Sequence, residues 1–305
     1  MIEVKNLYKG YGNKKAPVLK DINMKVEKGT IHGLIGHNGS GKTTLIKCLN
    51  GIYRPDAGEV LYDGEPVYDN AAVKEKIGYV ADSNQLFAGY RLSELLRFFS
   101  SMYPKFSMDD FEALNRIFQV DTRKRIRNLS KGQQMRVSFM LNTAINPEVM
   151  ILDEPTSGLD AIAKHDLLEL LVSQVENRGT TIIISSHHLN ELEKICDSVT
   201  ILKNGQIDVE DGIEEVKERI GKYQVVFPNG APDTFYKLDN IVQITNVGSV
   251  YTVIVKQSDN DFEQQAKESG AILVEAMPVD LEEVFVQMNK GGEKDDKQST
   301  IPGAN

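Results

Sequence analysis

The 305-residue sequence has only two cysteines, Cys48 and Cys196, so it carries no disulfide framework and fits a reducing compartment. Long hydrophobic runs are also missing. No apolar stretch approaches the roughly 20 residues that span a bilayer, so any membrane role is expected to be peripheral. The opening residues, Met1-Ile2-Glu3-Val4-Lys5, lack the pattern of a secretory signal, and none is expected. Basic residues are not in excess: 35 Lys and Arg stand against 44 Asp and Glu, a formal net charge of −9. Neutralising phosphate backbones needs the opposite balance, so no nucleic-acid partner is expected. The densest basic run, Arg123-Lys124-Arg125 with Arg127, reads as solvated loop. Hydrophobic residues make up 41% of the chain, enough for a sizeable core. The length suits one large or two smaller domains.

The most informative segment is Gly36-His37-Asn38-Gly39-Ser40-Gly41-Lys42-Thr43. It fits G-x-x-x-x-G-K-[ST], the phosphate-binding loop of nucleoside triphosphatases. An apolar run, Ile31 to Ile35, precedes it, and a helical pattern with Leu45, Ile46 and Leu49 follows. Glycines let backbone N–H groups turn inward around phosphates, and the helix N-terminus adds a positive dipole end. Lys42 would supply a point charge to the phosphates and Thr43 a hydroxyl for Mg²⁺.

Up to about residue 220, short apolar strands alternate with helical patterns, which argues for an α/β domain with a largely parallel sheet. Strands are expected at Thr30–Ile35, Ile77–Val80, Val149–Leu152, Thr181–Ser185 and Ser198–Leu202, with Ile2–Leu7 and Val18–Val26 in an additional antiparallel sheet. Leu92, Leu95, Leu96, Phe99, Met102 and Tyr103, then Phe111, Leu114 and Phe118, fall at helical spacing. After Gly221 the character changes. Strands at Tyr223–Phe227, Ile241–Ile244, Val250–Val255 and Ile272–Val274, with helices near Phe262–Glu268 and Leu281–Met288, read as a small α+β unit.

Val149-Met150-Ile151-Leu152-Asp153-Glu154 is an apolar strand ending in two carboxylates. Ligands of open α/β sheets sit beyond the C-terminal strand ends, so Asp153 is placed to hold a metal and Glu154 to polarise an attacking water. Leu129-Ser130-Lys131-Gly132-Gln133 comes shortly before. Ser130 with Gln133 is a capping-box pattern opening a helix, and a capped N-terminus with Gly132 beside it is also an anion site.

Five motifs in this order resemble the nucleotide-binding subunits of ABC transporters. These are residues 36–43, the signature at 129–133, the acidic strand at 149–154, the D-loop Ser157-Gly158-Leu159-Asp160, and the switch histidine His187 after Ser185-Ser186. The resemblance implies an α/β P-loop NTPase core of the ABC type over residues 1–221. That core would carry an antiparallel β subdomain and a helical subdomain at about 90–146. A small α+β C-terminal domain at 222–290 resembles the extension of drug, lipid and peptide exporter ATPases, and a disordered tail would cover 291–305.

The resemblance further implies an ATP-hydrolysing subunit that pairs with a second ATPase subunit, identical or not. It would dock on an integral membrane permease at the cytoplasmic face of the cell membrane and power transport, export in particular. ATP and Mg²⁺ are the implied cofactors. Glu154 would be the catalytic base, and His187 would contact the γ-phosphate. ATP would lie between Gly36, His37, Asn38, Gly39, Ser40, Gly41, Lys42, Thr43 and Thr44 of one subunit and Ser130, Gly132, Gln133 and Asp160 of the other. Thr43 and Asp153 would face the metal. Tyr11 would stack on adenine, with Tyr8 as second candidate. His188 is expected to point elsewhere.

Two positions depart from the family pattern. Lys131 replaces a usual glycine, and Asp82 aligns with a usual glutamine that serves the metal, while Gln85 lies three residues on. Both Asp82 and Gln85 stay open for that task. A soluble ABC ATPase uncoupled from transport, or a nucleotide-gated module with little turnover, are the rival readings.

Overall fold

The computed structural model describes residues 1–12, 17–82, 87–256 and 260–290. By contacts the chain divides into Met1–Asp211 and Gly212–Asn305. In chain order the first unit runs β1 (Ile2–Lys9), β2 (Leu19–Val26), β3 (Ile31–Gly36), α1 (Lys42–Leu49), β4 (Ala57–Tyr62), β5 (Glu65–Pro66), α2 (Ala71–Lys74), β6 (Ile77–Val80), α3 (Leu92–Met102), α4 (Met108–Phe118), α5 (Lys131–Ala144), β7 (Val149–Asp153), α6 (Ala161–Arg178), β8 (Thr181–Ser185), α7 (Leu189–Leu192), β9 (Ser198–Lys203) and β10 (Gln206–Gly212).

Two sheets follow from the pattern. One is antiparallel, in the order β2-β1-β4-β5. The other has six strands, β10-β9-β3-β8-β7-β6, and β9, β3, β8, β7 and β6 are parallel in it. All residues of β7 and β8 are buried, as unbroken apolar runs in a doubly covered sheet must be. Leu34, Ile151 and Ile183 of the parallel sheet share one core cluster with Leu45 and Leu49 of α1 and with Ile2, Val4 and Ile22 of the antiparallel sheet. The helical segment α3–α5 buries Leu92, Leu95, Phe111, Leu114, Phe118 and Phe139.

Strands β4, β5 and β10 lie outside the expected set. Two of their turns carry the strongest short hairpin signal, a two-residue Asp-Gly or Asn-Gly. Asp63-Gly64 joins β4 to β5 and Asn204-Gly205 joins β9 to β10, with all four residues at positive φ.

The parallel register places four functional segments along one edge. β3 ends at Gly36, β6 just before Ala81 and Asp82, β7 at Asp153, and β8 two residues before His187. Parallel strands present all their C-terminal ends on the same side, so motifs more than a hundred residues apart meet there.

His32, the second residue of β3, is buried between Ser198 Oγ and Thr200 Oγ1 of β9, both 2.8 Å from its ring nitrogens. Burial drives its pKa from 6.5 down to about 4. The unfolded chain therefore binds a proton that the folded chain refuses between those values. This contribution is intact above pH 6.5 and is lost as pH falls toward 4, reaching about 3 kcal/mol there. A His32→Gln variant should show a flatter loss of denaturation midpoint between pH 6.5 and 4 than the parent. An unchanged slope would rule His32 out as a source of acid lability.

The second unit contains α8 (Ile213–Lys217), β11 (Ile220–Val226), β12 (Ile241–Val247), β13 (Val250–Lys256), α9 (Asn260–Glu268), β14 (Leu273–Met277) and α10 (Leu281–Lys290). A division at 221 would cut β11, and α8 packs on α10, so the observed boundary comes earlier than the sequence reading placed it. The sheet is antiparallel in the order β12-β13-β11-β14. Alternate residues Tyr223, Val225 and Tyr251, Val253, Val255 face a core with Phe235 and Phe262. Lys222, just before Tyr223, meets Glu283 of α10 at 2.6 Å. The expected tail, 291–305, lies outside the described residues.

Candidate functional site

The phosphate loop leaves β3 and enters α1 through two left-handed glycines, Gly39 and Gly41. At Gly41 (φ 110°) a Cβ would stand 2.7 Å from Leu19 Cδ2, so both backbone conformation and space demand glycine. Gly205, in the β9–β10 turn, is equally constrained, since a Cβ there would meet Val18 O at 1.9 Å. Its N–H donates to Ser40 O at 3.1 Å, which braces the phosphate loop from a turn 165 positions away in sequence. Nothing in the loop motif announces that brace; the Asn204-Gly205 pair is its only sequence signal.

A cleft of about 540 Å³ opens over this loop. Its lining includes His37, Asn38, Gly39, Gly41, Lys42, Thr43 and Thr44 together with Asp153, Glu154 and Asp82. Val18, Lys47, Tyr79 and Ala81 complete the lining and were not singled out by the motifs. Gly36 and Ser40 support the loop from behind, Ser40 being buried. Lys42 is buried, with its ammonium donating to Gly36 O at 2.5 Å and His37 O at 3.3 Å. Burial lowers its pKa, while Glu154 and Asp153 act the other way. Thr43 is exposed beside it.

Asp153 is only 5% exposed and accepts a hydrogen bond from Ser185 Oγ at 2.7 Å. Burial, with the charges of Glu154 and Asp82, raises its carboxyl above the ordinary range, against Ser185 and Lys42. Glu154 adopts φ 51°, a left-handed conformation that is uncommon for a side-chain-bearing residue. Ser185 fixes it there, because Glu154 N–H donates to both Ser185 O and Ser185 Oγ at 3.1 Å. The turned side chain places Glu154 Oε2 2.6 Å from His187 Nδ1 and 3.3 Å from His187 N. Ser185 therefore orients both carboxylates, a role the sequence motifs do not assign. His188 does not point wholly away: its ring lies 4.0 Å from that of His187, and its N–H donates to Ser186 Oγ.

The remaining candidates stand apart from the cleft lining. Tyr11 is 44% exposed, and its hydroxyl lies 2.9 Å from Thr44 Oγ1, next to the loop but not in the lining. Its ring meets Tyr53 edge-on at 5.9 Å. Tyr8 is exposed on β1. Ser130 and Gln133 form a reciprocal capping box at the start of α5: Gln133 N–H donates to Ser130 Oγ and Ser130 N–H to Gln133 Oε1, each at 3.2 Å. Gly132 packs against the D-loop turn, where a Cβ would meet Gly158 O at 3.3 Å. Asp160 caps α6 by accepting from Ala163 N–H at 2.9 Å and pairs with Arg136 at 3.5 Å. Ser130, Gly132, Gln133 and Asp160 line no part of the same chain's cleft. Gln85 lies outside the described residues.

Among the described residues no three His, Cys, Asp or Glu side chains converge as a ready metal cage. The oxygen donors in the lining include the Thr43 hydroxyl and the carboxylates of Asp153 and Asp82. A sparse, hard oxygen set suits Mg²⁺, which keeps several waters and shares phosphate oxygens with one or two carboxylates.

A family model described as ABC transporter matches residues 19–157. The ABC transporter ATP-binding protein YtrB of Bacillus subtilis (strain 168) is 34% identical over 286 residues, covering 94% of this chain and 97% of that protein. The methionine import ATP-binding protein MetN of Protochlamydia amoebophila (strain UWE25) is 32% identical over 232 residues, 72% of this chain and 67% of that protein. A solved structure of the ATP binding subunit of an ABC transporter superposes with a TM-score of 0.66 at 31% identity, covering 71% of this chain and 91% of the other.

Proposed function

This chain belongs to the ABC transporter ATP-binding proteins, and we propose that it works as one of two ATPase subunits that together drive a separate membrane permease. Its reaction is hydrolysis of ATP. The observation that carries the site assignment is the Glu154–His187 contact of 2.6 Å at the mouth of the phosphate cleft. Phosphoryl transfer needs little covalent help from a protein; positioning and charge do most of the work. Lys42 and the loop N–H groups would hold the β- and γ-phosphates. Thr43, Asp153 and Asp82 would hold Mg²⁺, which when bound neutralises charge on the phosphate oxygens. Glu154 would take the proton of an in-line water, with His187 steadying both that carboxylate and the γ-phosphate. Tyr11, beside Thr44, would cover the base.

The same geometry supports a composite site. The capped N-terminus of α5 suits an anion, yet Ser130, Gly132 and Gln133 are absent from its own chain's cleft lining. A second copy or a related subunit placed head to tail would supply it. ATP then closes the dimer by binding the closed state better than the open one, and hydrolysis reopens it.

A permease partner is supported by a second cleft, about 220 Å³, lined by Phe87, Phe99, Tyr103 and Ile126. Exposed Tyr90, Phe98 and Met102 lie on the same helical segment, and apolar patches of this kind mark interaction sites. No helix of the described residues is long and apolar enough to cross a membrane, so the transport path would belong to another chain. Export is the proposed direction, on the resemblance of the C-terminal unit to exporter extensions. None of the recognised catalytic motifs falls in that unit, and it is assigned an accessory role.

Steady-state phosphate release, with purification after mild detergent extraction, tests the reading. ATP turnover and a copurifying membrane protein are expected. Turnover without any membrane partner would favour a soluble ATPase instead.

A further inference from the structure

The two departures from the family pattern are neighbours in space. Lys131 Nζ lies 3.5 Å from Asp82 Oδ1 and 3.5 Å from Ser157 Oγ. The two residues are 49 positions apart in sequence. The stem of Lys131 passes over the D-loop, with its Cδ 3.6 Å from the point where a Cβ on Gly158 would stand. Lys131 is also the first residue of α5, directly after the cap Ser130. Asp82 lines the phosphate cleft. One side chain thus touches the acidic rim of its own cleft, the D-loop turn and the signature helix.

The charges give this contact a purpose. Asp82, Asp153 and Glu154 line the cleft with the ammonium groups of Lys42 and Lys47, so among the described residues its carboxylates outnumber its lysines before any nucleotide arrives. Each carboxylate left unpaired there disfavours a triphosphate that enters without a cation. Lys131 cancels one of the three carboxylates at the rim. Both members of the pair are exposed, 59% for Lys131 and 49% for Asp82. Such a pair is weak and screened by salt, so a stronger partner for the carboxylate can displace it.

We propose that Lys131 and Asp82 are a matched pair in which Lys131, as a positioning residue, holds Asp82 while the cleft is empty and yields it to a divalent cation when nucleotide binds. The released ammonium stands beside Ser130 and Gly132, the surface assigned to the partner's nucleotide. Occupancy of one cleft is thereby passed to the other by a lysine changing partners. This last link rests on the composite-site reading; the pairing itself does not.

The test is a double-mutant cycle on the full chain, dilute enough to be monomeric. The readout is the ratio of affinities for a fluorescent ATP analogue in Mg²⁺ and in EDTA, at low salt. Lys131→Met frees Asp82, disfavours metal-free nucleotide and should raise that ratio by a factor of about two to five, the scale of an exposed pair. Asp82→Asn should lower it. In the Asp82→Asn background, Lys131→Met should lose most of its effect. Lys131→Arg keeps the charge and should keep the parent ratio, which separates loss of the pair from damage to α5. Equal effects of Lys131→Met in both backgrounds would overturn the pairing. Because the cycle is read on monomers, its failure is distinct from failure of the dimer reading. If the cycle couples but Lys131→Met leaves ATP-driven association of the chain unchanged in sedimentation, the relay to the partner is overturned.

Discussion

Glu154→Gln should leave ATP binding intact and reduce steady-state phosphate release by about 10²–10⁴-fold, the range for losing a general base. The substitution preserves shape and removes the basicity. Glutamine can still accept the hydrogen bond that Glu154 Oε2 receives from His187 Nδ1. It can keep the left-handed backbone, because Ser185 holds the Glu154 N–H rather than the side chain. The loop contacts of Lys42 are untouched. Nucleotide should therefore accumulate on the protein, and chains closed around it should persist, visible as a dimer by size-exclusion with ATP but not ADP. Parent-level turnover in this variant would move the catalytic role to another group. Reduced ATP binding instead of reduced turnover would mean that Glu154 serves ground-state binding.

Ser130→Arg on one subunit should stop hydrolysis of ATP held by the other, a loss of about 10²-fold or more, because misplacing a positioning group by an ångström costs that much. Two physical effects combine. Arginine cannot accept the Gln133 N–H, so the capping box at α5 opens at a cost of about 1 kcal/mol. Its bulk also fills the surface where the partner's phosphates would sit. In mixed dimers with one Ser130→Arg chain and one Lys42→Ala chain, the result depends on which site each mutation hits. In the composite arrangement one intact site remains, formed by the Lys42 of the Ser130→Arg chain and the Ser130 of the Lys42→Ala chain. About half the parent's activity, or less where the two sites act together, should survive in that arrangement. Mixed dimers without activity, together with about half the parent's activity in a dimer bearing both changes on one chain, would show that each chain builds its site alone.

The phosphate loop, the acidic strand end and the capping box were legible in the sequence because each is fixed by neighbours within a few residues. A strand, a glycine-bearing turn and a helix N-terminus must follow one another to make a loop like 36–43, and spacing alone carries that order. Ser130 and Gln133 cap α5 for the same reason, since the bonds join positions three apart. The alternation of apolar runs and helical patterns likewise set the parallel sheet, and the sheet set which strand ends meet. The hairpins at Asp63-Gly64 and Asn204-Gly205 carried an equally local signal that the reading of strands passed over.

Other features are contacts between residues far apart in the chain, and no local pattern encodes them. Ser185 clamps Asp153 and Glu154 because β7 and β8 are paired in register, Asp153 opposite Ser185. Gly205 braces Ser40 because β9 lies beside β3. Lys131 reaches Asp82 only because α5 packs near the end of β6. The sequence determines the chemistry available to this protein, because residue type and short spacing decide what can bind phosphate. Tertiary structure alone decides which carboxylate is turned, which is buried and which is paired, because those states depend on side chains brought within 3 or 4 Å by the packing of the sheet.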